Sequence, residues 1–303
     1  VTKQTDLSQG LCYLPSKKIT GNLEELFIPE FIHHKFRNLL REPVKSRPAE
    51  KMTDSSIRLE DWRGLNNRPG ALAEIASRGI PTVILTSCGY RTIELAHFLQ
   101  LAVPDLAGRV AFCHSSSTDS EIDRLVQYIK EGIINIIVST PRAAVKLKQY
   151  ARMTIIYDLP FAHDELCCAI NTVHPDGTLY LLFNAADLNE NKEALNKFIP
   201  DWRLLAFLYT ALRQEQYKGN TGKCSVQFIT GRMQANGYKF ITKDMMRVCL
   251  NILEELGLLR VLGAGSAERL ELCPPPRHKR DLMDAMTYKY LIQVKESTLS
   301  WME

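Results

Sequence analysis

Five short runs of apolar, β-branched residues constrain this chain more than anything else in it: Ile80–Thr86, Arg109–Cys113, Ile133–Val138, Thr154–Tyr157 and Leu179–Phe183. Each has strand length and almost no polar interruption. A strand with one wet face alternates, whereas a near-continuous apolar strand belongs to a parallel sheet covered on both sides. The gaps between runs carry helical periodicity. Thr92–Leu101 places Ile93, Leu95, Ala96 and Leu99 toward a core. Asp119–Glu131 is the best-marked helix: Thr118 and Glu121 form a T-x-x-E capping box, Ile122, Leu125, Val126 and Ile129 repeat at helical spacing, and Gly132 stands at the C-terminal cap. Strand–helix–strand alternation of this kind predicts a three-layer α/β domain over 57–200, with right-handed crossovers.

After Pro200 the alternation stops. Trp202–Arg213 is amphipathic, with Trp202, Leu205, Ala206, Tyr209 and Leu212 predicted on its inner face. A polar loop, Lys218–Lys223, leads to a second helix at about Ser225–Ala235. Thr242 caps a third, with Met246, Cys249, Leu250 and Leu253 inward and Gly257 as its stop. Leu258–Leu262, the turn Gly263-Ala264-Gly265-Ser266 and Arg269–Leu272 read as a hairpin. Three helices and a hairpin describe a winged helix-turn-helix, an α+β domain, over 201–275. Residues 276–303 read as a basic tail with a short last helix. Residues 1–56 read as an irregular segment or the remnant of a preceding domain, with Arg47–Lys51 as a linker.

No apolar stretch approaches the roughly 18 residues that span a bilayer, and the N-terminus lacks a signal-peptide core. A cytoplasmic protein with no membrane partner is the expectation. The eight cysteines are scattered without a CxxC pair, as inert buried thiols are, and no metal site is expected. The formal charge of +4 is uneven. Residues 202–303 hold 15 Lys and Arg against 10 Asp and Glu, while residues 1–201 hold 23 against 24. The basic surplus therefore lies in the last third, the part to suspect of meeting a polyanion.

The order of elements over 80–183 resembles the second, RecA-like domain of superfamily-two helicases. A strand ends in Cys113-His114, another in Val138-Ser139-Thr140, and a third runs Ile155-Ile156-Tyr157-Asp158-Leu159-Pro160. His114, Ser139, Thr140 and Asp158 are then vestigial motif residues. In working helicases the next motif supplies arginines that stabilise the transferring phosphate. Here that stretch is Cys167–Gly177, and it holds no arginine. Nor is there a phosphate loop: Gly219-Asn220-Thr221-Gly222-Lys223-Cys224 has Tyr217 where a first glycine belongs and ends in cysteine. The resemblance implies a degenerate helicase fold without its chemistry.

A wider pattern adds to this. Leu59-Glu60-Asp61-Trp62-Arg63-Gly64, Pro200-Asp201-Trp202-Arg203, Asn251–Leu259, Lys279-Arg280-Asp281-Leu282 and the closing Trp301 are together similar to the C-terminal region of Firmicutes-type RecJ exonucleases. The resemblance covers roughly 57–303. It implies a non-catalytic accessory region that contacts single-stranded DNA, single-strand-binding protein or the RecJ nuclease core. The Mn²⁺ or Mg²⁺ of that core would be held by DHH-type motifs, which activate water on the scissile phosphate. Those motifs are not found in this sequence, whose start as a natural fragment or a truncated product is left open. His33-His34 is preceded by Ile32 and reads as a solvated pair near a loop. His163-Asp164 reads as a helix start with Asp164 as a first-turn carboxylate. No catalytic residue is assigned.

Candidate nucleic-acid contacts are Lys239, Lys243 and Arg247 at the third helix, the last two one turn apart on a face expected to be solvated. Arg277, Lys279 and Arg280 would add salt-sensitive attraction. A merely solvated face explains the same charges. Two other readings stay open: a winged-helix regulator that reads duplex DNA, and half of a split helicase, which would need an arginine near Asn171–His174.

Overall fold

In the computed structural model, five apolar strands and one more polar one lie side by side, all parallel. The structure describes residues 23–40, 57–147, 149–217, 225–238, 240–263 and 269–303. The strands are β1 (Arg58–Asp61), β2 (Thr82–Leu85), β3 (Val110–Cys113), β4 (Ile136–Ser139), β5 (Ala151–Ile156) and β6 (Val173–Leu181), in the order β1-β6-β5-β2-β4-β3. Every residue of β2 and of β4 is buried, as their sequences require of central strands. β1 was not predicted as a strand. Its residues Arg58-Leu59-Glu60-Asp61 are largely exposed because it is an edge paired only with β6.

Two cores flank the sheet. One face is covered by α2 (Arg68–Ala76) and α3 (Gly89–Ala102), through Leu72, Ile75, Leu95, Ala96 and Leu99 against Ile84, Val138 and Ile155. The other takes α4 (Asp119–Lys130) and α5 (His163–Thr172), through Ile122, Leu125, Ile129 and Ala169 against Val83, Ile137 and Leu179. The capping box of α4 forms from both sides, with Glu121 N–H donating to Thr118 Oγ1 at 3.3 Å and Thr118 N–H to Glu121 Oε2 at 2.7 Å. β6 begins at Val173, six residues earlier than its apolar run, and contains Gly177. A Cβ there would lie 2.8 Å from the Arg152 carbonyl oxygen, so the β5–β6 register shift at Ala151–Met153 needs glycine.

The described residues fall into two compact units. The sheet, with residues 23–31 and 57–191, is the first. Residues 32–40 and Lys192–Glu303 are the second, so the division lies within α6 (Ala185–Phe198) and not at Pro200. Within residues 23–40, the described part of the segment before 57, the chain is more regular than its sequence indicated. Leu23–Phe27 is a 3-10 turn, and α1 (Glu30–Leu40) buries Phe31, Ile32 and Phe36.

The second unit holds α7 (Trp202–Tyr217), α8 (Val226–Ala235) and α9 (Lys243–Glu255), followed by the antiparallel pair β7 (Leu259–Leu262) and β8 (Arg269–Leu272). Thr242 caps α9 by accepting from Met245 N–H, and Gly257, at φ +69°, ends the turn after it. The predicted face of α7 was rotated. Leu204, Leu205, Leu208, Ala211 and Leu212 are buried, whereas Trp202 and Ala206 face solvent. The short last helix of the prediction is α10 (Met286–Met302), 17 residues long, with Thr287, Leu291, Val294 and Thr298 buried along one side. Ala285 gives it no capping side chain. Glu255 of α9 takes that role, accepting from Thr287 N–H at 2.9 Å and from its hydroxyl at 2.5 Å. The polar loop over 218–223, the linker at 47–51 and the hairpin turn after Gly263 lie outside the described residues.

Candidate functional site

Parallel sheets of this type open a ligand crevice beyond the C-terminal ends of their strands, where neighbouring strands connect in opposite directions. In this strand order the place is between β2, which continues toward β3, and β5, which continues toward β6. The predicted motif residues lie along that same edge, because parallel register sets Cys113 opposite Ser139 and Leu85 opposite both Ser139 and Ile156. His114, Ser139, Thr140 and Asp158 therefore sit at one rim.

The rim is filled by the chain itself. Asp158, 7% exposed, accepts from Ser87 N–H at 2.8 Å and from Ser87 Oγ at 3.0 Å. Its other oxygen lies 3.4 Å from both Arg68 Nη2 and Arg91 Nε. Arg68 donates twice to Asp187, at 2.7 and 2.8 Å, and its guanidinium covers the Tyr157 ring at 4.1 Å. Burial works against the Arg68 charge, but Asp187, Tyr157 and Asp158 more than offset it and raise its pKa. Burial likewise raises the Asp187 carboxyl, while Arg68 opposes that shift.

Beside it, Thr140 Oγ1 donates to Glu30 Oε1 at 3.0 Å, and Arg142 N–H donates to Glu30 Oε2 at 2.8 Å. Ser139 is bonded to Cys113 Sγ and to the Thr140 carbonyl. His114 stacks on Phe112, and burial lowers its pKa. One cavity among the described residues there, of about 10 Å³ and lined by Thr86, Ser87, Asp158, Glu165 and Ala169, has room for one water molecule. Glu165 accepts from Phe161 N–H at 2.8 Å, while its Oε1 is buried without a hydrogen-bond partner. Burial pushes its carboxyl up to about 7.

Sequence reasoning found the strand ends but not what fills them. Arg68, Asp187, Glu30 and Glu165 belong to no motif pattern. The one local signal was Asn67-Arg68-Pro69, a helix start that places Arg68 at the sheet edge.

The other predicted residues are more dispersed. Lys243 is exposed in the first turn of α9. Arg247, one turn on, is half-buried with its Nε enclosed, which corrects the expectation of a fully solvated face. It lies near Asp244, whose carboxyl is held below the usual range by a hydrogen bond from His33 and by the charges of Arg37 and Arg247. His33 is thus not a solvated residue near a loop. It is 4% exposed on α1, with Nε2 3.3 Å from Asp244. Arg277, Lys279 and Arg280 are all exposed on the irregular stretch between β8 and α10. Lys239 lies outside the described residues. His163 opens α5 with Asp164 in its first turn. Burial raises the thiols of Cys88, Cys113, Cys167, Cys168 and Cys249, Cys113 to about 12 and Cys168 to about 11. Among the described residues no three His, Cys, Asp or Glu side chains gather as a metal site, and no helix is long and apolar enough to cross a membrane.

No family model matches the chain, and no curated protein does. Solved structures similar to it include helicases and DEAD-box proteins. A DEAD box protein from Methanococcus jannaschii is 18% identical over 46% of this chain and 38% of its own length, with a TM-score of 0.35. The E. coli DEAD-box protein SrmB, bound to regulator of ribonuclease activity A, is 16% identical over 50% of this chain and 89% of its own, also at 0.35. The Mycobacterium smegmatis helicase Lhr, bound to single-stranded DNA and AMP-PNP, is 9% identical over 74% of this chain and 33% of its own, at 0.38. The chain thus spans about two fifths of the archaeal protein.

Proposed function

We propose that this chain is a non-catalytic accessory region of a RecJ-type single-stranded-DNA exonuclease. Its sheet domain is a degenerate, RecA-like helicase domain, and α7–α9 with β7–β8 form a winged helix. In this reading the chain contacts DNA or repair partners such as single-strand-binding protein, and the metal-dependent nuclease core acts upstream of it.

The observation that carries the proposal is the filled rim. The crevice where a doubly wound sheet would take a nucleotide is occupied by Asp158, Arg68, Arg91, Asp187 and Glu30, each held by partners from the same chain. With Arg68, Arg91, Asp158, Asp187 and Glu30 held by one another or by neighbouring groups, and Arg142 Nε and Glu165 Oε1 the described rim atoms left buried without a partner, little remains with which to bind a phosphate or stabilise charge in a transition state. The order of motif residues along that rim supports a helicase ancestry, and the basic surplus after residue 201 supports a polyanion as partner.

The purified chain should neither hydrolyse ATP nor degrade single-stranded DNA with Mn²⁺ or Mg²⁺, yet should bind an oligonucleotide at low salt. Added in trans to a RecJ nuclease core, it should raise that core's affinity for single-stranded DNA. ATP turnover that tracks with the chain and is lost in an Asp158→Ala variant would refute the reading.

A further inference from the structure

The one helix whose face the sequence misassigned shows what its outer side carries. Along α7, Trp202, Ala206, Tyr209, Arg213 and Tyr217 follow one another at spacings of four, three, four and four, and so form a single strip. From Trp202 to Tyr217 it is about 22 Å long at 1.5 Å per residue. Trp202 is 61% exposed and Tyr217 81%, unusual values for aromatic rings on a helix whose opposite face is fully packed. Cations are interleaved with the rings. The Arg203 guanidinium lies 5.6 Å from the Trp202 ring centre. Arg213 lies 5.7 Å from Tyr209 and 6.0 Å from Tyr217, and donates to the Tyr209 hydroxyl at 3.2 Å.

Charge on this helix is one-sided. Its only acidic residue, Glu215, is buried and ion-paired with Arg232 of α8; exposed Asp201 precedes the helix and accepts from Leu204 N–H at 2.8 Å, so within α7 itself the exposed side presents Arg203 and Arg213 and no carboxylate. Flat rings alternating with cations along the helix match an extended strand of unpaired bases on a phosphate backbone. A duplex offers the cations its phosphates but keeps its base faces stacked inside.

We propose that the outer strip of α7 is a single-stranded nucleic-acid platform, with Trp202 and Tyr217 stacking bases and Arg203 and Arg213 meeting phosphates. This rests on the DNA-contact reading above and assigns the contact to residues other than Lys243 and Arg277–Arg280.

The test uses the whole chain and a fluorescently labelled 20-nucleotide DNA of mixed, non-self-complementary sequence, single-stranded or annealed, titrated at two salt concentrations. Both rings are exposed, so Trp202→Ala and Tyr217→Ala should keep the parent's melting curve. Each should weaken single-strand binding by roughly 5- to 150-fold, the range for losing one base–aromatic stack, and leave duplex binding unchanged. Arg213→Gln should lower the single-strand salt slope by about 0.7. If the parent binds single strands and the ring variants bind as tightly, the platform is refuted and DNA contact elsewhere stands. Equal losses on single strand and duplex would refute stacking in favour of charge alone. If the folded parent binds neither at low salt, the platform and the DNA reading fall together, and a protein partner remains for the strip.

Discussion

The rim of the first unit and the α7 strip of the second use similar residues to opposite ends. At the rim, Arg68 is turned inward onto Asp158 and Asp187, where burial makes the pairing obligatory, and Arg91 reaches from buried Asp158 to exposed Glu190. On α7, Arg203 and Arg213 are turned outward onto aromatic rings, and water satisfies whatever the rings do not. An arginine in a sheet crevice is therefore poor evidence of a ligand when carboxylates of the same chain already hold it. An arginine without a carboxylate, on an exposed ring, is better evidence, because its partner is still to come.

The contrast is sharpest for Arg68. Arg68→Met leaves Asp187 buried with no guanidinium opposite it and removes one cation from Asp158. Breaking a buried pair from one side costs about 3–5 kcal/mol, and denaturant unfolding should show a loss of that size. On α7, Arg213→Ala should change stability by no more than about 0.5 kcal/mol, as exposed substitutions do. Equal costs at the two sites would break the distinction between an internally closed rim and an open strip.

How much of this was legible in the sequence follows from where each signal is stored. The five buried strands announce themselves, because burial on both faces demands unbroken apolar runs, and the α4 helix does so because its capping box lies within four residues. β1 was hidden since an edge strand need not be apolar. The length of α10 was hidden since its cap comes from Glu255, thirty-two residues upstream of Thr287. The α7 face was misread because Trp202 and Tyr209 were counted as core on the strength of being aromatic. Leu204, Leu208 and Ala211 give an equally good helical stripe, and only packing chooses between them. For the candidate site, strand ends could be placed, but whether Asp158 meets a ligand or Arg68 depends on residues ninety positions apart.

Acid–base behaviour offers a second test of the comparison. Glu165 in the first unit has its carboxyl raised from 4.5 to about 7 by burial, with Glu30 and Asp164 adding to the shift and the Phe161 N–H and Arg142 opposing it. The folded state thus prefers the neutral acid. Its contribution to stability is complete below about pH 4.5 and is lost as pH rises through 7, a change on the order of 3 kcal/mol. Glu165→Gln should remove this slope and make the chain more stable than the parent at pH 8. Asp244 in the second unit has the opposite sign. Its carboxyl is lowered from 3.8 by the hydrogen bond from His33, so its contribution holds above that pH and fades as acid protonates it. Chemical denaturation of parent and Glu165→Gln at pH 5, 6, 7 and 8 measures the first effect. Parallel curves for the two proteins would mean that Glu165 is solvated in the folded chain.

The smallest effects separate two neighbours on α9. Lys243 is exposed and Arg247 half-buried, though both were placed on one solvent face from their spacing. Lys243→Ala should leave unfolding free energy within about 0.5 kcal/mol of the parent. Arg247→Ala should cost more, on the order of 1 kcal/mol, because the packed stem of the side chain is lost as well as its charge. If α9 touches phosphates, Lys243→Ala should weaken single-stranded and duplex DNA alike, since a phosphate contact carries no base information. It should also lower the salt slope by about 0.7 on single strands and about 0.9 on duplex. That even-handedness distinguishes it from the α7 rings, whose loss should be felt by single strands alone. A Lys243→Ala variant with an unchanged slope on both substrates takes α9 off the DNA-contacting surface. The basic stretch Arg277–Arg280 would then be the remaining candidate for even-handed contact, testable by the same titration after Arg277→Ala and Lys279→Ala.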